Sequence, residues 1–595
     1  GAEALWNGAV AGVAATRGEG VVVGVIDSGI NAAHRSFADR GDDGHDHANP
    51  RGRLYGLCAQ APARCNDKLL GIHDFTNEGA RDGSDLDGHG THVAATVAGN
   101  VVEAVLDGVT IDVPLRVSGV APHANLISYK ACTDTAEGDS TCAEGALIQA
   151  LDQAALDGVD VVNFSIGGGA RDPWEGVRAG SARADDMAEA FLNLRAAGVV
   201  PVVSAGNDGP FAATVSSPAN APWVIATANA SHDRRFLNRV LGVSGPGVAP
   251  RDYEGLGISA ALPTRRIVDA AAYGHALCAE GEDLDPPYNG RSNPWPPGTF
   301  NGEIVVCLRG VQARVAKGYN VRAAGGGGMI LYNQASTGDS VVSDDHFLPA
   351  VHIGHEAGID LLARLATASA AGGQLSGAIS GYQRLLDGRG DVLNSSSSRG
   401  PVTPFGGWLK PDVSAPGSSI LAAAQSGTQD LAILSGTSMA APHVAGAAAL
   451  LLGARPAWSV DQVESALLTT ALAGVLDTDG ATPATAFEAG SGRVQPAEAA
   501  RAGLHFALGR ASYAAADPLR GGNPATLNRP SLVSAACSTR CSFVRNATAN
   551  RAASWRVETQ AEAGVVLRVS PLEFALGAGQ SQALAIEVDV GDPRL

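Results

Sequence analysis

The 595 residues are too many for one hydrophobic core, and about two to four domains are expected. Hydrophobic residues make up 45% of the chain, enough for packed interiors. No run of about 18 or more apolar residues predicts a membrane-spanning helix, and a formal net charge of −18 argues against nucleic acid or an anionic membrane as partner. Positive charge is nearly all arginine, since Lys68, Lys130, Lys317 and Lys410 are the only lysines.

Taken in order, Val21–Ile26 is a β-branched run that predicts a strand ending at Asp27, with Gly29 for the turn. Asp87-Gly-His-Gly-Thr-His92 is a Gly-rich turn into a predicted helix over Thr91–Ala98, carrying His89. Leu126–Lys130, Val159–Ile166, Val199–Ser204 and Trp223–Thr227 read as further strands, and Ala143–Asp157 and Asp185–Ala197 as helices. Such alternation predicts a parallel sheet covered on both faces, with Asp27 at the strand end where these sheets place their sites. Ser204-Ala-Gly-Asn-Asp-Gly209 is a turn after a strand.

From about residue 238 to 386 Pro and Gly become frequent, around one strand at Gly302–Arg309 and another at Met329–Asn333. The glycines at 325–328 lack the Gly-Lys-Ser/Thr ending of a phosphate loop and read as a tight βα connection. Leu434-Ser-Gly-Thr-Ser-Met-Ala-Ala-Pro-His-Val-Ala-Gly446 reads as a turn leading into a buried helix. Ser438, in its first turn, meets free N–H groups and the positive end of the helix dipole. Pro442 is read into that same turn, where a missing N–H is tolerated. Trp458–Ala471 is a further helix with a Ser/Asp-rich cap. After about residue 510, short alternating runs suggest a small β-sandwich.

Asp27, His89 and Ser438 stand in the subtilisin order, unlike that of chymotrypsin or the α/β-hydrolases. On these three motifs the chain resembles the subtilisin-like serine peptidases. Gly56-Leu-Cys58, Cys65–Gly71 and Tyr129-Lys-Ala-Cys132 narrow the resemblance to the cucumisin-like branch. It implies a fold class of α/β: a subtilisin-like parallel sheet with helices on both faces, an inserted α+β protease-associated (PA) domain and a C-terminal β-sandwich of fibronectin-III-like type. The implied domains are catalytic over 1–237 and 387–508, inserted over 238–386, and terminal over 509–595.

The resemblance implies a secreted serine endopeptidase with Asp27, His89 and Ser438 as triad and Asn207 as oxyanion donor. His92 and His443 are taken as structural. A substrate peptide is expected along Ser165, Ile166, Gly167 and Gly168, with Ser216 at the base of a mainly apolar primary pocket. The acidic run Thr133–Thr141, with Asp134, Glu137 and Asp139, would favour Lys or Arg upstream of the cut, unless it is merely solvated. A silent, binding-only relative would be expected to lack a triad member, and all are present.

Near-neighbour cysteines suggest the pairs 58–65, 132–142, 278–307 and 537–541 and an oxidising, extracellular setting. No leader opens the chain at Gly1, so signal peptide and propeptide are expected outside it. No cofactor is required. Asp39-Arg-Gly-Asp-Asp-Gly-His-Asp46 offers oxygen ligands for calcium, though a solvated loop is the simpler reading. Two Arg-Gly-Asp tripeptides, at 40–42 and 389–391, are read as coincidence. Polypeptides are the expected partners of a monomer, with the PA and terminal domains as docking surfaces.

Overall fold

The computed structural model describes residues 1–595 except 78, 108, 135–139, 179–185, 282–289, 387–389, 536 and 592–595. Eight parallel strands form the central sheet: β1 (Val22–Asp27), β2 (Tyr55–Gly56), β3 (Leu69–Asp74), β4 (Asn125–Lys130), β5 (Val161–Phe164), β6 (Val200–Ser204), β7 (Ile225–Ala230) and β8 (Val413–Pro416). Their order is β2-β3-β4-β1-β5-β6-β7-β8. Residues of β1 alternate between two cores, because successive side chains of a strand point to opposite faces. Val23 and Val25 pack with helices α1 (His89–Ala98) and α4 (Thr437–Ala454). Val22 and Ile26 pack with α2 (Glu144–Asp157) and α3 (Asp186–Ala196). The expected parallel sheet with helices on both faces is present, its expected strands shifted at their ends by one to three residues.

Strand order reverses at β1, which lies between β4 and β5. A crevice opens at the carboxyl ends of strands at such a switch point, and Asp27 is the last residue of β1. Helix α4 has the length and composition to cross a membrane, but 72% of it is buried, as the core helix of this sheet.

A second sheet is built from residues 234–386. Its strands run 248–256, 350–353, 328–332, 304–308, 262–269, 376–379 and 234–245, and the last pairs with the first, closing a ring. The pairing of Arg234 with Leu386 joins the entering and leaving strands at its neck. The glycine run connects a helix, Arg314–Ala323, to the strand Gly328–Tyr332 rather than a strand to a helix. Gly325 has φ +95°, and a Cβ on Gly327 would lie 2.5 Å from the Gly302 carbonyl oxygen, so both positions need glycine.

Downstream, a four-stranded sheet runs 504–505, 540–549, 581–590, 565–570, beside a pair formed by 553–556 and 573–576. The segment before it lies on the central-sheet unit: Trp174 Nε1 donates to the Tyr513 carbonyl (2.7 Å) and Arg178 pairs with Asp517 (2.6 Å). Helix Val460–Thr469 starts from a Ser459/Gln462 capping box, as its Ser/Asp-rich start predicts. Disulfides join 58–65, 132–142, 278–307 and 537–541, the four expected pairs.

Candidate active site

Asp27 is buried at the end of β1, where its Oδ1 accepts the Ser28 N–H (2.8 Å) and lies 2.7 Å from His89 Nδ1. His89 opens α1 behind Gly88, whose φ of +99° suits only glycine. A Cβ on Gly90 would sit 2.4 Å from the Gly29 carbonyl oxygen, so α1 can approach β1 this closely only with glycine there.

A residue that the motif reading passed over holds this turn. Asp85, 6% exposed, accepts from Ser28 Oγ (2.9 Å) and Gly88 N (2.8 Å) through Oδ1, and from Thr91 N (2.7 Å) and Thr91 Oγ1 (2.5 Å) through Oδ2. Ser28 Oγ in turn accepts the Gly90 N–H (2.8 Å). One carboxylate thus ties the residue after Asp27 to both neighbours of His89. Its carboxyl type two positions before the motif was the available signal.

Burial pulls the His89 imidazole down, but the charge and hydrogen bond of Asp27, with Asp87 and Asp85 behind, outweigh it and raise it to about 9. The side chain is 30% exposed, so water screens part of this field. His92 and His443 differ. His92 Nε2 faces the carbonyls of Ile420 and Ala432, and His443 Nδ1 faces that of Met439. Burial pushes each down to about 4, which keeps both neutral.

Ser438 is the second residue of α4, and its N–H has no partner among the described residues. Pro442 is the sixth residue of the helix, not part of its first turn. Without an N–H it leaves the Ser438 carbonyl without its helical donor, and Ser165 Oγ supplies the bond instead (2.8 Å). Ser438 Oγ donates back to the Ser165 carbonyl (3.1 Å). A proline that would weaken a helix thereby locks the serine to the strand-end segment after β5.

Asn207 lies exposed in the turn after β6. Its Oδ1 accepts the N–H and hydroxyl of Thr437 (3.0 Å each), which fixes the amide beside Ser438. That leaves its NH2 group without a partner among the described residues. Two N–H donors, from Asn207 and Ser438, are therefore available at the head of α4.

A cleft of about 510 Å3 beside Asp27 and His89 is lined by Ser165, Ile166, Gly167, Gly168, Leu147 and the Cys132–Cys142 bridge, among others. Ser217, not Ser216, borders it, and its carbonyl accepts the Gly168 N–H (2.9 Å). Ser216 sits behind, 7% exposed, and Cβ atoms on Gly167 and Gly206 would come within 2.7 and 2.9 Å of its Oγ. Of the acidic run, residues 135–139 lie outside the described residues; Cys132–Asp134 and Ser140–Cys142 pair as a hairpin. Across the cleft Arg171 pairs with Glu144 (3.2 Å), placing a cation at its edge.

In the Asp39–Asp46 loop, Asp42 pairs with Arg35 (2.6 Å), Asp43 with Arg17 (2.7 Å) and His123 (3.0 Å), and Asp39 accepts the Asp67 N–H (2.9 Å). Those carboxylates are engaged by protein donors. Among the described residues no three His, Cys, Asp or Glu side chains converge as a metal site.

The class defined by this fold and site is an α/β protein with a parallel sheet, an Asp27–His89 pair at a strand end and Ser438 at the head of a core helix later in the chain. The chain belongs to the subtilase family, whose profile (Peptidase_S8, Subtilase family) matches residues 18–492. It is similar to three Arabidopsis thaliana proteins, subtilisin-like proteases SBT5.4, SBT1.7 and SBT1.6. Identity to SBT5.4 is 32% over 537 residues, covering 86% of this chain and 64% of the relative. For SBT1.7 it is 34% over 529 residues (83% and 65%), and for SBT1.6 33% over 542 residues (83% and 65%). The chain thus spans 64–65% of the length of these relatives.

Proposed function

We propose that this protein is a secreted serine endopeptidase acting through an acyl-enzyme on Ser438. The observation that carries the reading is the 2.7 Å Asp27–His89 contact on a cleft lined by Ser165, which in turn hydrogen-bonds Ser438 at a helix head where two N–H donors have no partner among the described residues. Ser438 Oγ turns from the Ser165 carbonyl to His89 Nε2, gives up its proton there and attacks the peptide carbonyl. Asp27 holds the imidazole and stabilises its cationic form without taking the proton. The Ser438 N–H and the Asn207 amide hold the oxyanion. His89 then protonates the leaving amine, and water repeats the sequence to release the acid.

An extended peptide lies along Ser165–Gly168, where the glycines let its backbone approach. The primary pocket, with neutral Ser216 and the space kept by Gly167 and Gly206, takes mainly apolar side chains. Four disulfides suit an oxidising compartment and extracellular location. The sheets of 234–386 and 540–590 serve as PA-like and fibronectin-III-like docking surfaces of a monomer, and no step needs a cofactor; any calcium is structural. In the test, the chain and its Ser438→Ala variant are incubated with casein and with a fluorophosphonate. Hydrolysis and labelling by the parent alone are expected. Casein cleavage by the variant at the parent's rate would sink the assignment.

A further inference from the structure

Away from the catalytic cleft, a cavity of about 530 Å3 opens at the seam between the central sheet and the ring of 234–386. Ser231, Asn394 and Ser418 line one wall, and Arg234, Ser340 and Ser343 the other. Arg234 is the first residue of its strand and enters the ring half-buried. Its Nη2 donates to the Ser419 carbonyl (3.3 Å), while its Nε is buried with no partner. Among the described residues it meets no carboxylate within ion-pair distance. Burial, then the nearby Arg384, pull it down to about 10, which still leaves a cation at neutral pH. A desolvated guanidinium with no counter-ion among the described residues is costly anywhere, and the more notable in a chain of net charge −18.

We propose that this cavity is a binding site for a small organic carboxylate, paired with the Arg234 guanidinium. A guanidinium presents parallel N–H groups that match a carboxylate. The volume suits a small organic ligand and is far larger than an inorganic oxyanion needs. The Ser231 and Ser340 hydroxyls suit the rest of a polar acid, while Asn394, Ser418 and Ser343 are held by protein partners. Asp339 and Asp479 also line the cavity, but Asp479 is held by Thr482 (2.5 Å). An occupant would sit behind the nucleophile's turn, because Ser419, which accepts from Arg234, donates its own N–H to Ser435 Oγ (2.8 Å).

Calorimetric titration of the full chain at low ionic strength tests it, with glutarate, its neutral analogue glutaramide and sulfate as probes. Saturable binding of glutarate at one site per chain is expected, with none for glutaramide. Arg234→Gln should weaken glutarate at least about tenfold, as for loss of a charge-assisted bond. Arg384→Gln, at an exposed position, should bind as the parent does. Equal binding of glutarate and glutaramide overturns the proposal even if Arg234→Gln fails to fold. So does failure of glutarate to bind, unchanged binding by a folded Arg234→Gln, or sulfate binding as tightly as glutarate.

Discussion

At the scale of single residues, the imidazole of His89 is pulled two ways. Raised to about 9, it favours its proton in the folded state, and that contribution to stability is fully present below about 6.5 and lost as pH rises through 9. The proposed chemistry needs the neutral ring, so activity should rise over the range in which this contribution fades. The acid limb of kcat/KM is therefore expected above about 6.5 and below about 9, nearer neutrality the more the 30% exposure screens Asp27 and Asp87. A limb at or below 6.5 in a pH–rate profile contradicts the carboxylate field. Asp27→Asn should move the limb down, since burial then acts with only the more distant carboxylates against it. Asn207 is the second residue-scale test. Its carbonyl is held by Thr437, so Asn207→Ala removes a fixed donor rather than a mobile one. A fall in kcat of about 10²–10³-fold with KM little changed is expected, a range that itself comes from subtilisin. An effect on KM alone would mark Asn207 as a turn residue.

At the scale of elements, the question is what keeps α1 registered on β1. The Asp85 carboxylate accepts four hydrogen bonds in a buried place, two of them from the backbone of Gly88 and Thr91. In Asp85→Asn one oxygen becomes an NH2 that cannot accept, so at least one buried N–H loses its partner. The cost should be about 1–3 kcal/mol, read as a lower urea midpoint, with kcat reduced because His89 sits between the two freed positions. A variant with the parent's midpoint and kcat would show that the turn holds without Asp85. This contact also shows how far sequence reading reaches. Five of the central strands, with Asp27 at a strand end, His89 at a Gly-rich turn and Ser438 at a helix head, were legible because β-branched runs and Gly-rich turns carry their own local signal, whereas Tyr55–Gly56, Leu69–Asp74 and Val413–Pro416 did not read as strands. The exchange between Pro442 and Ser165 was not, because the donor that replaces the missing N–H lies 273 residues away from the carbonyl it satisfies. Pro442 therefore read as a harmless first-turn proline, whereas the fold uses the acceptor it frees.

At the scale of the whole molecule, Arg529 joins the C-terminal segment to the central sheet. Within Leu527-Asn-Arg-Pro-Ser531 it carried no visible charge partner, because its partners come from other parts of the chain. Its side chain is 2% exposed, pairs with Asp412 (2.5 Å) and Glu464 (3.0 Å) and donates to the Pro222 carbonyl. Asp412 also takes Lys410 (2.5 Å), and Glu464 also takes Arg195 (2.6 Å). The Arg529 carbonyl accepts Arg545 Nε (2.7 Å), which ties the network to the strand Arg540–Ala549. Arg529, Lys410 and Arg195 are thus answered by three carboxylates, Asp412, Glu464 and Asp461 (2.6 Å to Arg195), while Arg545 donates only to carbonyls. Such a cluster contributes little net stability while complete, but loss of one member leaves charge uncompensated. Arg529→Ala is expected to cost about 3–5 kcal/mol in urea unfolding, because Asp412 and Glu464 each lose a partner. If that cost is orphaned charge rather than lost packing, adding Glu464→Gln should recover part of it, since a neutral amide needs no counter-ion. Packing loss alone predicts instead that the double variant is no more stable than Arg529→Ala, so the two accounts differ in the sign of the coupling between positions 464 and 529.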